Sequence, residues 1–208
     1  GRKWALNHSS LYLDFLAGIA VVSLGHCNPA ITEAISTQAA TLVHVSNFFA
    51  NPVATRAAVR ISDLMERAGA GRGQVFFCNS GAEANEAAIK IARKHGGRGR
   101  HRVVSAYGSF HGRTLGALAL TGQPAKHEAF QPMPEGFLYV AYGDIEALRS
   151  SVDPSVAAVM LEPIQGEGGV VPADPAYLQA VQELCRERGM LLMVDEVQTG
   201  FCRTGKWF

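Results

Sequence analysis

The sequence predicts an α/β protein built on a mostly parallel sheet with helices on both faces. Two observations along the chain and one from its composition point there. An apolar run followed by a glycine-containing turn and a helical segment occurs three times, starting at 75–78, 103–106 and 157–161. Continuously apolar strands alternating with helices are the mark of a parallel sheet covered on both sides. Polar clusters unusual for mere turns follow these runs and a fourth at 190–194, at the carboxyl ends of strands, where ligands of such sheets sit. The composition, 48% hydrophobic and 18% charged, is that of a globular chain.

The elements follow in order. Residues 11–24 are apolar around Gly18 until Gly25, Asn28 and Pro29 stop them, which predicts a short strand or two and then a turn. From 29 to 42, Ile31, Ala34, Ile35, Gln38, Ala39 and Leu42 recur at spacings of three and four behind Pro29, whose missing N–H costs little in a first helical turn, so an amphipathic helix is expected. A second helix over 52–68 gathers Val53, Ala57, Ile61, Leu64 and Met65 on one face and ends at Gly69, Gly71 and Gly73. A strand at 75–78 should turn through Ser80-Gly81-Ala82 into a helix reaching about His95, and a strand at 103–106 through a glycine loop into a helical run at 114–120. The third strand, 157–161, precedes a glycine-rich turn and a helix over 174–188, and the last, 190–194, ends in Asp195-Glu196.

Charge and motif content exclude several functions. With 19 Lys and Arg against 18 Asp and Glu, the net charge of +1 leaves no basic excess for a row of phosphates, so nucleic acid is not expected as a partner. The longest apolar run, 15–24, is about half of the ~20 residues that cross a bilayer and contains Gly18 and Ser23, so no membrane span is expected. Cys27, Cys78, Cys185 and Cys202 form no C-x-x-C pair, which removes zinc ribbons and thioredoxin-like sites and leaves reduced thiols in a cytoplasmic chain. The chain starts without Met or a basic-then-apolar leader, and the expectation is that it was cut from something longer. Neither a nucleotide P-loop, a nucleophile elbow nor an H-E-x-x-H motif is present.

Four clusters could carry chemistry. In Asn79-Ser80-Gly81-Ala82-Glu83-Ala84-Asn85-Glu86, Ser80 and Glu83 form a capping box, and Gly81 and Ala82 leave a helix N-terminus unobstructed. Such an end suits an anion, most naturally phosphate, although a tightly packed capped helix reads the same way. Phe110-His111-Gly112-Arg113-Thr114 sets an aromatic face beside a guanidinium suited to planar capture of a carboxylate or phosphate. Taken alone it is equally a surface loop with a satisfied His. Asp195 is delivered at the end of a buried strand and needs a cationic or hydrogen-bonding partner. Glu162 and Glu167 form an acidic pair that invites a glycosidase reading, but no sugar cleft accompanies it. Together, a phosphate cradle, a stacking ring, a strand-end carboxylate and a carboxylate-binding arginine describe a site for pyridoxal 5′-phosphate, whose ring nitrogen needs an acidic partner to stay protonated.

These residues make the chain resemble the class III (ornithine-type) aminotransferases. The stretches that carry the resemblance are Phe15-Leu16-Ala17-Gly18-Ile19-Ala20-Val21, Phe76 to Glu86, Phe110 to Thr114, Leu120-Thr121-Gly122-Gln123, Glu162-Pro163-Ile164-Gln165-Gly166-Glu167 and Asp195-Glu196-Val197-Gln198-Thr199-Gly200, in the family's order. The resemblance implies the type I pyridoxal-phosphate fold (aspartate aminotransferase-like), incomplete at the C-terminus, with residues 1–50 contributing to a small domain and dimer interface and 51–208 to the large cofactor domain. It further implies that Ser80, Gly81 and Ala82 hold the cofactor phosphate, Phe110 stacks on the pyridine ring, Asp195 pairs with its nitrogen and Gln198 sits at its 3-hydroxyl. Arg113 would grip the substrate carboxylate, Glu167 would be the switch glutamate that pairs with a later arginine, and Glu162 would support the site from behind. The reaction implied is transfer of the side-chain amine of N2-acetylornithine to 2-oxoglutarate, in arginine biosynthesis, by a cytoplasmic homodimer. Ornithine, succinylornithine or 4-aminobutyrate are alternative donors, and a non-catalytic cofactor-binding module is the alternative outside enzymes. Ser46-Asn47-Phe48-Phe49 departs from the family in having Phe49 where many relatives have Tyr. None of Lys3, Lys90, Lys94, Lys126 and Lys206 stands in the motif of the Schiff-base lysine, which the resemblance places beyond Phe208.

Overall fold

The computed structural model describes residues 3–6, 10–46 and 48–208, with side chains described from residue 12 onward. Asn47 lies outside the described residues. The chain gathers into two compact units, 1–75 with 200–208, and 76–199. Among the described residues no helix is long and apolar enough to cross a membrane.

In the first unit, β1 (Lys3–Leu6) and β2 (Ser10–Leu13) form an antiparallel hairpin. The apolar stretch after β2 does not continue as a strand. The Asp14 carboxylate accepts the N–H groups of Leu16 and Ala17 at 3.0 and 2.8 Å, diverting donors a ladder would need. The chain then makes a left-handed turn, α1 (Ala17–Ala20), with φ between 50° and 65° at all four residues. Outside glycine that conformation costs roughly 1–2 kcal/mol per residue. Two helices follow where the periodicity predicts them, α2 (Pro29–Thr41) and α3 (Pro52–Arg67). Each has Pro in its first turn and an Asn side chain as N-cap: Asn28 accepts from Ala30 N–H at 3.0 Å, and Asn51 from Val53 N–H at 2.9 Å.

The second unit runs α4 (Gly81–Gly96), β3 (Arg102–Ala106), α5 (Leu115–Leu120), β4 (Phe137–Val140), α6 (Ile145–Ser151), β5 (Val156–Leu161), a small ribbon of β6 (Ile164–Gln165) and β7 (Val171–Pro172), α7 (Pro175–Arg188) and β8 (Leu191–Val194). Four of the strands form a wholly parallel sheet in the order β4-β3-β5-β8. Every residue of β5 is buried, as a central strand covered on both faces must be. One face packs Ile89 and Ala92 of α4 and Leu120 of α5 against Val103, Ala158 and Met160. The other packs Leu148 of α6 and Val181, Leu184 and Cys185 of α7 against Val104, Val159 and Leu161.

One expectation needs correction. Residues 75–78 are not a strand: they pair with no neighbour among the described residues, and Phe76 and Phe77 are exposed. An apolar run becomes a strand only when a second strand takes up its N–H and C=O groups. Conversely, β4 and α6, four and seven residues long, escape sequence periodicity because neither completes enough repeats to show one.

The sheet order decides where a ligand can sit. From the carboxyl end of β3 the chain leaves through α5 toward β4 on one side; from that of β5 it leaves through α7 toward β8 on the other. Divergence of neighbouring connections opens a crevice above the strand ends, the usual binding place of such sheets.

Candidate active site

A cleft of about 300 Å³ occupies that crevice, lined by Gly81, Ala82, Asn85, Phe110, His111, Gly112, Arg113, Glu162, Glu167, Asp195, Val197 and Gln198. It therefore brings together all the candidate site residues except Ser80, which stands behind the lining as the α4 N-cap. Ser80 Oγ accepts Glu83 N–H at 3.2 Å while the Glu83 carboxylate accepts Asn79 N–H at 2.7 Å. The reciprocal box satisfies the flanking donors and leaves the first-turn amides of Gly81 and Ala82 for an anion. Gly81 cannot be larger: an added Cβ would lie 2.8 Å from a methyl of Val197. A Cβ on Gly166 would meet only the end of the flexible Gln198 side chain, which would have to swing aside.

Asp195 lies on the floor, 7% exposed. Its Oδ2 accepts from His111 Nδ1 at 2.8 Å and Asn85 Nδ2 at 2.9 Å, and its Oδ1 from Val197 N–H at 3.0 Å. Burial pushes the carboxyl up, but the His111 bond and charge, the Val197 amide and the Asn85 amide outweigh it and hold the group below the usual carboxylate range. His111 thus donates from Nδ1 to Asp195, and its Nε2 faces the Ser105 hydroxyl at 3.3 Å. His111 and Asn85 are the site residues that sequence reasoning missed. Both stand inside the motifs it singled out, but nothing local shows that they turn toward Asp195.

Above the floor, Glu162 accepts Phe110 N–H at 3.1 Å and Gly166 N–H at 3.4 Å, tying the loops after β3 and β5 together. Burial raises its pKa, with the Phe110 amide and the charge of His111 opposing. At the rim, Arg113 is exposed, with its guanidinium carbon 5.6 Å from the centre of the Phe110 ring. Glu167 is paired with Lys126 and Gln123, and the Lys126 bond, foremost, lowers its pKa.

The loop from Phe110 to Arg113 is held from α4 as well. Thr114 caps α5 with no side-chain bond. The Glu86 carboxylate supplies that cap from the neighbouring helix, accepting the N–H groups of Gly116 and Ala117 at 2.8 and 3.1 Å. Glu86→Ala is expected to lower stability by about 1–2 kcal/mol, as loss of a helix cap does. In urea unfolding the midpoint should fall with the slope unchanged.

A bare helix N-terminus, a half-buried aromatic ring and a buried carboxylate that lines the cleft are arranged around one space. They fit pyridoxal 5′-phosphate: the helix end suits the phosphate, the ring a flat heterocycle, and Asp195 a protonated ring nitrogen.

The family model described as aminotransferase class-III matches residues 3–208. The chain belongs to the class-III aminotransferases. This class-III chain is 52% identical to "Acetylornithine aminotransferase" of Caldanaerobacter subterraneus subsp. tengcongensis, over 100% of this chain and 52% of that protein. Among solved structures, an ornithine aminotransferase from Toxoplasma gondii, described with partial occupancy of PLP at the active site, superposes with a TM-score of 0.91 at 38% identity, over 100% of this chain and 50% of that one. An N-acetylornithine aminotransferase from Stenotrophomonas maltophilia superposes with a TM-score of 0.82 at 36% identity, over 100% and 53% of the two chains. The class-III chain thus spans about half the length of the curated relatives it matches.

Proposed function

We propose that the full-length natural protein moves the side-chain amino group of N2-acetylornithine to 2-oxoglutarate, giving N-acetylglutamate 5-semialdehyde and glutamate, a step of arginine biosynthesis. The observation that carries the reading is the ionised Asp195 carboxylate buried beneath a cleft whose walls are the α4 N-terminus and Phe110 and whose rim is Arg113. Likeness to curated acetylornithine aminotransferases at 52–54% identity supports the donor.

When bound, pyridoxal 5′-phosphate supplies an electron sink for carbanion chemistry. The chain's own residues prepare the place for it. Gly81 and Ala82 receive the phosphate on their amides, Ser80 keeps those amides aimed, and Phe110 stacks against the ring. Asp195 keeps the ring nitrogen protonated, and His111 and Asn85 keep Asp195 ionised and oriented. Gln198 serves the 3-hydroxyl. Arg113 takes the substrate carboxylate, Glu162 fixes the loop that bears Phe110, and Glu167 adjusts the charge at the rim between the two substrates. We place the reaction in a cytoplasmic homodimer, with residues 1–50 contributing to the small domain and subunit interface and 51–208 to the cofactor domain.

The test loads the natural full-length protein with the cofactor and follows its yellow colour as donors are added singly. N2-acetylornithine is expected to bleach it with a larger kcat/KM than ornithine, succinylornithine or 4-aminobutyrate. Preference for free ornithine overturns the donor; failure of all four to change the colour overturns the reaction.

A further inference from the structure

Glu162, which holds the loop of Phe110, has itself to be anchored. It is the first residue beyond β5 and is followed by Pro163, which has no N–H to pair. Its carboxylate nevertheless keeps both Phe110 N–H and Gly166 N–H, at 3.1 and 3.4 Å.

The anchor comes from another strand end. Tyr142 stands in the turn between β4 and α6, where Asp144 N–H donates to the Ala141 carbonyl at 3.3 Å and Gly143 has a φ of 84°, as glycine at the third position of a type II turn has. Asp144 fixes the far end of the turn by capping α6, its carboxylate accepting Ala147 N–H at 2.9 Å. The Tyr142 ring packs edge-on against Tyr177 of α7, with centroids 6.0 Å apart and planes at 69°. Its hydroxyl donates to the Glu162 carbonyl at 2.8 Å and to the Pro163 carbonyl at 3.1 Å. Two consecutive carbonyls of one irregular segment are thus gathered on one donor. Burial foremost, and the charge of Glu162 behind it, push the pKa of this hydroxyl up to about 12, so it keeps its proton at neutral pH.

The bridge needs a long, stiff side chain. β4 and β5 lie on either side of β3, so their ends stand about 10 Å apart, two strand spacings. A tyrosine covers such a gap while fixing only two side-chain torsions. The strand between them, β3, leads into the loop that carries Phe110. A second tie, Gln165 Nε2 donating to the Tyr107 carbonyl at 2.9 Å, joins the loops after β3 and β5 three residues ahead of Phe110. Loss of the Tyr142 hydroxyl therefore loosens the ring without releasing the loop.

We propose that Tyr142 is a positioning residue of the active site: its hydroxyl clamps the Glu162–Pro163 segment and thereby holds the Glu162 carboxylate on Phe110 N–H and the Phe110 ring in place for the cofactor. The inference rests on the pyridoxal-phosphate reading and deepens it, since it names a residue outside the cleft on which cofactor affinity depends.

The test uses the full-length natural protein. Tyr142→Phe removes the hydroxyl and keeps the ring on Tyr177. It is expected to weaken binding of pyridoxal 5′-phosphate about threefold to tenfold in an absorbance titration of the cofactor-free protein, the range of one neutral hydrogen bond. Glu162→Gln is expected to weaken binding too, and the double variant to be about as weak as the poorer single one, because both changes cut the same link. An unchanged affinity in Tyr142→Phe overturns the proposal. So do effects that multiply in the double variant, because Tyr142 would then act by a route that bypasses Glu162. Hydrogen exchange of the Phe110 amide, measured without cofactor, is expected to speed up at least about threefold in Tyr142→Phe, and an unchanged rate overturns the clamp. If the parent protein takes up no cofactor, the pyridoxal-phosphate reading falls, and the exchange rate judges the clamp by itself. Should circular dichroism show Tyr142→Phe misfolded, Tyr142→Met, an adaptable apolar side chain without the hydroxyl, is held to the same outcomes.

Discussion

Asp195→Asn in the full-length natural protein is expected to cut the rate of amino transfer at least about 10²-fold, the effect of removing one preorganised charged partner from a buried site. The substitution conserves shape and the acceptor for Val197 N–H, which lies 3.0 Å from Oδ1. What it removes is the charge, and at Oδ2 it sets an NH₂ group against two existing donors, His111 Nδ1 at 2.8 Å and Asn85 Nδ2 at 2.9 Å. His111 Nδ1 then faces a donor in place of an acceptor, and the Asn85 amide loses an acceptor. The measurement is single-turnover bleaching of the cofactor with a saturating amine donor. A variant within a few-fold of the parent would remove Asp195 from the mechanism. The same carboxylate has a consequence for acid stability. Its folded-state pKa lies below the ordinary value, so its contribution is complete above the unfolded pKa of about 3.9 and is lost as pH falls through the lower, folded value. Asp195→Asn should flatten that part of the stability profile.

Gly122→Ala is expected to be the more damaging change to the fold, at more than about 3 kcal/mol, the upper end for overpacking. A Cβ on Gly122 would lie 2.0 Å from the Ala106 carbonyl oxygen, 2.7 Å from its carbon and 2.9 Å from Tyr107 Cα. All three are backbone atoms at the carboxyl end of β3, so no rotamer change relieves the overlap. The contact is close because Gly122 is built into the strand end: it donates to Ser109 Oγ at 2.9 Å and accepts Gly108 N–H at 2.9 Å. Gly73→Ala is the control, with nothing within 4 Å of its added Cβ, and should stay within about 0.5 kcal/mol of the parent. Urea midpoints measured side by side decide it; equal midpoints would mean that the β3 end yields.

The contrast between these sites follows what a linear sequence can encode. Helices α2, α3 and α7 were legible to within about a residue because their information is local: a proline in the first turn, an Asn or Asp side chain capping within three residues, and an apolar stripe of period 3.6. The Ser80–Glu83 box was legible for the same reason, both partners lying within one helical turn. The placing of three of the four polar clusters at strand ends, after β3, β5 and β8, also came from the sequence, and with it the position of the cleft; the fourth, 79–86, opens α4 with no strand before it.

Which residues within those clusters meet was decided by tertiary structure alone. His111 and Asp195 are 84 residues apart and Asn85 and Asp195 are 110 apart, and they meet because β3, β5 and β8 lie side by side in the sheet. Glu167 reaches Lys126 across 41 residues and Glu86 caps α5 across 30. In each case the polar group has a strong need for a partner, which sequence shows, and several equivalent candidates, which sequence cannot rank. Only the order β4-β3-β5-β8 and the packing of α4 and α5 on one face bring a single candidate within hydrogen-bonding distance. The residues 75–78 show the converse: their apolar composition is local, but a strand is a property of two segments, and none of the described residues supplies the second.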